Sequence, residues 1–281
     1  MATVPPAAVR RALRKSTSLS DHDVPKPASS KILVLVPTYN ERENLPLIIR
    51  RIRASVPDAN VLVLEDNSPD GTGAVADELA AADDRVEVMH RAGKEGLGKA
   101  YLAGFARGLE QGYDLLVEID ADGSHPPERL PAMLQAARDA DVVIGSRWIR
   151  GGKVVNWPLH RKALSVGGNI YVKTLLGMPV NDATAGFRVY RADALRTIGL
   201  DGVDSYGYCF QADLTWRAIR AGLRVVEVPI TFVEREIGQS KMNPDIARES
   251  LRNISRWGWE YRRGQIRSLG ERIVHRPKDP A

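Results

Sequence analysis

The apolar residues of this chain fall mostly in short unbroken runs. Ile32-Leu33-Val34-Leu35-Val36, Val61-Leu62-Val63-Leu64 and Val142-Val143-Ile144 are three of them, and Val86-Glu87-Val88-Met89 and Leu115 to Ile119 are interrupted by one glutamate each. Continuous aliphatic and β-branched runs of that length predict parallel strands buried on both faces. Pro37 is expected to close the first. The stretches between them read as helices. One starts at Asn40, with Glu43 three residues later as in a capping box, and runs to about Ala54. Another covers Thr72 to Ala82, after the turn Ser68-Pro69-Asp70-Gly71. A third leads from Gly96-Leu97-Gly98 to about Glu110, and a fourth from about Glu128 to Arg138. Strands alternating with helices in this way mean right-handed crossovers and an α/β fold with a mostly parallel sheet.

The rhythm changes after Arg147. Trp148 to His160 reads as a loop, Arg161 to Leu176 as a helix, and Asn181 to Arg188 as a polar loop running into Val189-Tyr190. Tyr208 to Ala221 is predicted helical, and Arg224 to Val233 a single long strand. This half is expected to shape an acceptor site on the first half. From Asp245 to about Leu269 a helical wheel puts Leu251, Ile254, Trp257, Tyr261 and Leu269 on one side. Arg248, Arg252, Arg256, Arg263 and Arg267 fall on the other. Such a helix suits either a membrane surface or the flank of the domain itself. The chain therefore divides into a basic arm at 1–30, a catalytic domain at 31–243 and a basic amphipathic helix and tail at 244–281.

Composition narrows the setting. Of 281 residues, 43% are hydrophobic and 27% charged, as in an ordinary soluble protein. One cysteine, Cys209, rules out an intrachain disulfide and favours a cytoplasmic location. No apolar stretch reaches the roughly 18 residues of a membrane span, and the Met1-Ala2-Thr3-Val4 start lacks a secretory layout. The net charge of +5 sits at the ends. Residues 1–30 carry five Lys/Arg against two Asp/Glu, and residues 242–281 nine against five, which leaves the middle near −2. Basic ends point to an anionic surface or to solvated tails.

The candidate chemistry lies where the strands end. Leu115-Leu116-Val117-Glu118-Ile119 delivers Asp120 and Asp122, followed by Gly123-Ser124-His125-Pro126. Ligands of open α/β sheets bind beyond the carboxyl ends of strands. Two hard oxygen donors there suit Mg²⁺ or Mn²⁺ held together with substrate phosphates. The alternative is a turn whose aspartates bond their own backbone. Tyr39 and Glu41 follow the first strand, Glu65 and Asp66 end the second, and Ser146 and Arg147 end the fifth. Neither G-x-G-x-x-G nor G-x-x-x-x-G-K-[ST] occurs, which argues against the common dinucleotide and P-loop sites. There is no zinc-like Cys/His cluster, and the five histidines make no site by spacing.

These motifs resemble the family-2 glycosyltransferases of the GT-A fold. The resemblance is carried by Pro37-Thr38-Tyr39-Asn40-Glu41, Glu65-Asp66-Asn67-Ser68-Pro69-Asp70-Gly71-Thr72, Gly96-Leu97-Gly98, Asp120-Ala121-Asp122 with His125-Pro126-Pro127, and Gly145-Ser146-Arg147. Asp182-Ala183-Thr184-Ala185-Gly186-Phe187-Arg188, and Glu234-Arg235 with Gly238-Gln239-Ser240-Lys241, are similar to the polyprenol-phosphate mannose synthase branch.

The resemblance implies a single Rossmann-like sheet, GDP-mannose as donor, polyprenyl phosphate as acceptor, and inversion at the sugar carbon. Pro37, Tyr39, Glu41, Leu64 and Asp66 would line the nucleoside pocket. Asp120, Ala121 and Asp122 would meet the sugar diphosphate, with Asp120, Asp122 and Ser124 toward the Mg²⁺ or Mn²⁺. Archaeal members carry Gln where this chain has Ser124, a weaker ligand, so water would complete the shell. Arg147 would face the phosphates or the acceptor and, with Asp122, carry catalysis, while Arg235 and Lys241 would clamp the diphosphate. Arg161, Ser165, Arg188 and Asp213 would serve the acceptor.

A phosphate monoester has its second pKa near 6, so the acceptor oxygen is already anionic at neutral pH and needs no general base. A lipid acceptor implies a peripheral enzyme on the cytoplasmic face of a membrane, held by anionic lipid or by an integral membrane partner. Nucleic acid is not an expected partner. Three other readings are a UDP-glucose-dependent glucosyltransferase, a nucleotidyltransferase, and a basic binding module without catalysis.

Overall fold

In the computed structural model residues 30–203, 208–235, 251–259 and 263 are described. The arm before Ser30, Lys241 with its neighbouring motif, and most of the basic tail lie outside these residues. The strands are β1 (Ile32–Thr38), β2 (Asn60–Glu65), β3 (Val86–His90), β4 (Leu115–Glu118), β5 (Val142–Ser146), β6 (Lys153–Val155), β7 (Arg188–Arg191), β8 (Val225–Pro229) and β9 (Thr231–Val233). The helices are α1 (Leu45–Ser55), α2 (Thr72–Ala82), α3 (Leu97–Glu110), α4 (Leu130–Ala136), α5 (Leu159–Leu176), α6 (Ala192–Ile198) and α7 (Tyr208–Arg220). A further helical segment covers 251–259.

Seven strands join in the order β3-β2-β1-β4-β7-β5-β8. All run parallel except β7, which is antiparallel to β4 and β5. The fold is α/β, of the GT-A type. Alternating side chains feed two cores, because successive residues of a strand point to opposite faces. Leu33, Leu35, Leu62, Leu64 and Leu116 pack with Tyr101 and Phe105 of α3 and with Phe210 and Leu214 of α7. Val34, Val36, Val61, Val63 and Val117 pack with Ile48, Ile49 and Ile52 of α1 and Leu130 and Met133 of α4. Each such side chain contributes roughly 1.5–3 kcal/mol on full burial. Helix α3 lies close to the sheet because Gly104 and Gly108 face it. A Cβ at Gly108 would come within 2.5 Å of Leu116 Cδ2.

The structure alters several sequence expectations. Pro37 does not close β1 but lies inside it, paired with Leu64 of β2. The Leu35 carbonyl accepts from Ile119 on the β4 side, so Pro37, two residues on, turns its missing N–H the same way, past the last residue of β4. Helix α1 starts at Leu45, not at Asn40. Asn40 has a left-handed φ of 57°, so the chain turns there before the helix begins. Helix α4 is shorter than expected, because Pro127–Arg129 form a 3₁₀ turn.

Strand β7 and helix α6 were not foreseen. The long strand at Arg224 to Val233 is two strands in different sheets. At Ile230 the chain leaves β5 and joins β6: its N–H donates to Ser146 and its carbonyl accepts from Lys153. The segment at 251–259 packs on the domain through Ile254, which is buried, and Trp257, stacked on Trp216 at 5.9 Å. Leu251, expected on the same apolar side, is exposed.

Candidate active site

Because β1, β2, β4 and β5 run the same way, their carboxyl ends meet at one rim. Antiparallel β7 begins there, with Arg188 in register with Glu118 and Ile144.

At the β1–β2 end, Glu65 turns under the next loop. Its two oxygens accept the N–H groups of Ser68 (2.7 Å) and Asn67 (3.0 Å). Asp66 is therefore the residue presented at the rim, with its own N–H bonded to the Thr38 carbonyl. Burial pushes the Asp66 carboxyl up, against the pull of its ion-pair partner Arg91. Tyr39 lies under Lys94, whose Nζ is 4.4 Å from the ring centroid. Arg91 and Lys94 come from the loop after β3, and sequence reasoning missed both. The run Arg91-Ala92-Gly93-Lys94 was the available signal, a basic, glycine-containing loop at a third strand end. Glu41 is buried, accepts from Asn44 (2.8 Å), and gives its own N–H to Thr72 Oγ1 (3.0 Å). Leu64 is wholly in the core, so only its backbone can face a nucleoside. Its carbonyl accepts from Thr38 Oγ1.

The acid pair follows β4 directly. Asp122 is 8% exposed, and its Oδ1 accepts the Ser124 N–H at 3.0 Å. Its Oδ2 meets Arg235 Nη2 at 2.9 Å. Burial opposes ionisation of Asp122, but the Arg235 charge and the hydrogen bonds from Ser124 together outweigh it and hold this carboxyl below the usual range. Asp120 behaves in the opposite way, its carboxyl pushed up by burial. Tyr101 Oη lies 3.4 Å from Asp120 Oδ1, and His125 Nδ1 lies 3.6 Å from Oδ2. His125 is buried between Phe187 and Phe232, and burial depresses its pKa. The Asp120 N–H points to Nδ1, so the neutral ring carries its proton on Nε2. The histidine that spacing alone could not place is thus a prop beneath the acid pair. Ala121 is buried between the two aspartates.

On the other side of β7, Arg147 leaves β5 and meets Asp182. Nε to Oδ2 is 2.8 Å, Nη2 to Oδ1 is 2.6 Å, and the Arg147 N–H adds a third bond at 2.9 Å. Thr184 Oγ1 also accepts from Nη2, at 3.2 Å. Trp148, Trp157 and Phe232 lie around the guanidinium at 5.8, 5.6 and 5.5 Å. Glu227 of β8 fixes this loop by accepting the N–H groups of Asn181 (2.9 Å) and Asp182 (3.0 Å).

The expected acceptor residues are scattered. Arg161 of α5 stacks over Trp157 at 4.3 Å and pairs with Glu234, beside Arg235. Ser165, one turn further along α5, gives its carbonyl to Asn169. Asp213 is buried and bonds Arg217 at 2.9 Å. Arg188 does not face an acceptor. It is fully buried, with its guanidinium on the carbonyls of Ala183 and Ala185 and on Thr215 Oγ1. Its work is to shape the loop that carries Asp182.

Residues 33–199 match the family model "Glycosyl transferase family 2". The chain belongs to this family. An "Undecaprenyl-phosphate mannosyltransferase" of Micrococcus luteus is 56% identical over 240 residues, which are 84% of this chain and 99% of that protein. A "Polyprenol monophosphomannose synthase" of Mycolicibacterium smegmatis is 56% identical over 243 residues, 86% of this chain and 92% of that one. Among solved structures, glucosyl-3-phosphoglycerate synthase from Mycobacterium tuberculosis in complex with Mn²⁺, UDP and glucosyl-3-phosphoglycerate shares the fold. Its TM-score is 0.57 at 19% identity, with 79% of this chain and 77% of that one covered. As a member of this family the chain is a glycosyltransferase.

Among the described residues no cluster of three or more His, Cys, Asp or Glu could hold a metal ion alone. Asp120 and Asp122 are hard oxygen donors at an open rim. This fits Mg²⁺ or Mn²⁺, which bind through one or two carboxylates and take the remaining ligands from phosphates and water.

Proposed function

We propose that this glycosyltransferase moves mannose from GDP-mannose to polyprenyl phosphate, with inversion at the sugar carbon. The supporting observation is the acid pair at the sheet rim in a chain so close in sequence, and over so much of its length, to two relatives named for this chemistry. The nucleoside would lie between Tyr39, Glu41 and Asp66, and the diphosphate would run toward Asp122.

An acceptor phosphate oxygen attacks the anomeric carbon while the bond to the GDP oxygen breaks, and GDP leaves with the electron pair. The acceptor arrives ionised, so no side chain has to remove a proton. That agrees with a site in which the histidine beside the acid pair, His125, is buried and neutral. Asp120 and Asp122 would hold the Mg²⁺ or Mn²⁺, which when bound offsets charge on the departing diphosphate. Arg235 adds a cation beside the diphosphate, and Arg161 a second one toward the acceptor. The Arg147–Asp182 pair sets the wall between them, and its aromatic surround of Trp148, Trp157 and Phe232 limits water.

A lipid acceptor places the work at a membrane surface, on the cytoplasmic face in this reading. Among the described residues no helix is long and apolar enough to cross a membrane. Helix α5 supports a peripheral contact, since Leu159, Leu164 and Ile170 are exposed by 84%, 60% and 59%. Leu159 and Ile170 fall on one helix face, as their spacing requires.

The direct test supplies radiolabelled GDP-mannose and polyprenyl phosphate in liposomes with Mn²⁺. Label should enter the lipid phase, and both a chelator and Asp122→Asn should stop it while circular dichroism stays unchanged. Preference for UDP-glucose, or transfer of the nucleotide itself, would overturn the proposal.

A further inference from the structure

We propose that Arg235 occupies the cation position of Asp122 until a divalent ion arrives with its diphosphate, so that ion entry and Arg235 departure are one exchange. The inference rests on the reading of Asp122 as a metal ligand and goes beyond it.

Both oxygens of Asp122 are engaged, Oδ1 by the Ser124 N–H at 3.0 Å and Oδ2 by Arg235 Nη2 at 2.9 Å. The two side chains are only 6% and 19% exposed. A divalent ion on Asp122 would therefore share a nearly dry corner with a guanidinium, and like charges repel strongly where water does not screen them. One of the two cations has to yield.

The chain around Arg235 allows this. Its backbone is fixed next to the acid pair, because Val233 donates to the Ser124 carbonyl (3.2 Å) and Glu234 to that of Val155 (3.1 Å). Glu234 is also tied to Arg161. The guanidinium, on a long side chain, can leave Asp122 while β9 stays paired with β6. Its planar fork of donors suits phosphate oxygens. A diphosphate that enters with the ion offers such oxygens at the same rim, so the displaced charge finds a new partner there.

The result is coupling. An ion alone must compete with Arg235, whereas an ion accompanied by a diphosphate need not. Metal and nucleotide then bind with positive linkage, and each raises the other's affinity by the same factor.

Mn²⁺ binding to the full chain, followed by the electron paramagnetic resonance signal of the free aqueous ion, tests this with and without GDP. Without GDP, Arg235→Gln should bind Mn²⁺ about tenfold more tightly than the wild type, within the usual span of coupling between two ligands. Arg235→Lys keeps the charge and should stay near the wild type. GDP should tighten Mn²⁺ binding more in the wild type than in Arg235→Gln. Mn²⁺ should also raise the thermal midpoint of Arg235→Gln more than that of the wild type, a rescue that the loss of a purely structural ion pair would not show. Equal or weaker binding by Arg235→Gln, or none up to millimolar Mn²⁺, overturns the exchange. Mn²⁺ binding that survives Asp122→Asn would instead sink the assignment of metal to Asp122.

Discussion

Arg147 and Asp182 face each other squarely, fork to carboxylate, with 7% and 0% of their side chains exposed. Arg147 comes from the end of β5 and Asp182 from the loop that enters β7. A buried pair of this kind adds little net stability, but it is severe to break, because the remaining charge cannot be solvated.

Asp182→Ala should therefore cost about 3–5 kcal/mol of stability, measured by urea denaturation. Arg147→Met combined with Asp182→Leu removes both charges and should recover most of that loss. Sugar transfer should remain abolished in the double variant. If it regains transfer, Arg147 serves only to hold the fold.

Glu118 ends β4 with no exposed surface, and burial pushes its carboxyl from 4.5 up to about 8. The folded state thus keeps a proton that the unfolded chain gives up above 4.5. Between those values the native state binds more protons, so stability falls as pH rises and levels off above about 8. The slope is at most about 1.4 kcal/mol per pH unit for one group. Glu118→Gln stays neutral throughout. Denaturation at pH 4 and pH 8.5 should show wild type and variant much alike at the lower value and the variant more stable at the higher one. An unchanged pH slope in the variant would show that another group is responsible.

Arg161 lies over Trp157 and pairs with Glu234. On the proposed reaction, Arg161→Ala should raise KM for polyprenyl phosphate about tenfold, the effect of roughly 1.4 kcal/mol, with KM for GDP-mannose little changed. Initial rates with each substrate varied in turn separate the two. A shift in the donor KM alone would move Arg161 to the donor side.

Much of the sheet could be read from the chain, for a physical reason. Strands buried on both faces are mostly apolar, so β1, β2, β4 and β5 stand out as runs. Strand β7 escaped because it reads Arg188-Val189-Tyr190-Arg191, and nothing local shows that Arg188 is buried by carbonyls brought from its own preceding loop. The break at Ile230 escaped because Thr231-Phe232-Val233 suits a strand in any sheet, and only the tertiary partner changes.

The site divides in the same way. Asp120 and Asp122 were legible, since a strand that ends in two acids is a local event. Their neighbours were not. Arg91, Lys94, His125 and Asp182 reach their partners across the sheet rim or through packing, and chain spacing carries no trace of that. Arg188 was misread because an arginine in a motif suggests a ligand, and burial put it to structural use instead.

The reversed strand has one more effect. Neighbouring strands lie about 4.8 Å apart, so a single interposed strand sets the tips of β4 and β5 roughly 10 Å from each other. A doubly wound sheet without the insertion would bring Asp122 and Arg147 side by side, where each would compete for the other's partner. Held apart by the width of β7, each keeps its own counter-ion, Arg235 for Asp122 and Asp182 for Arg147.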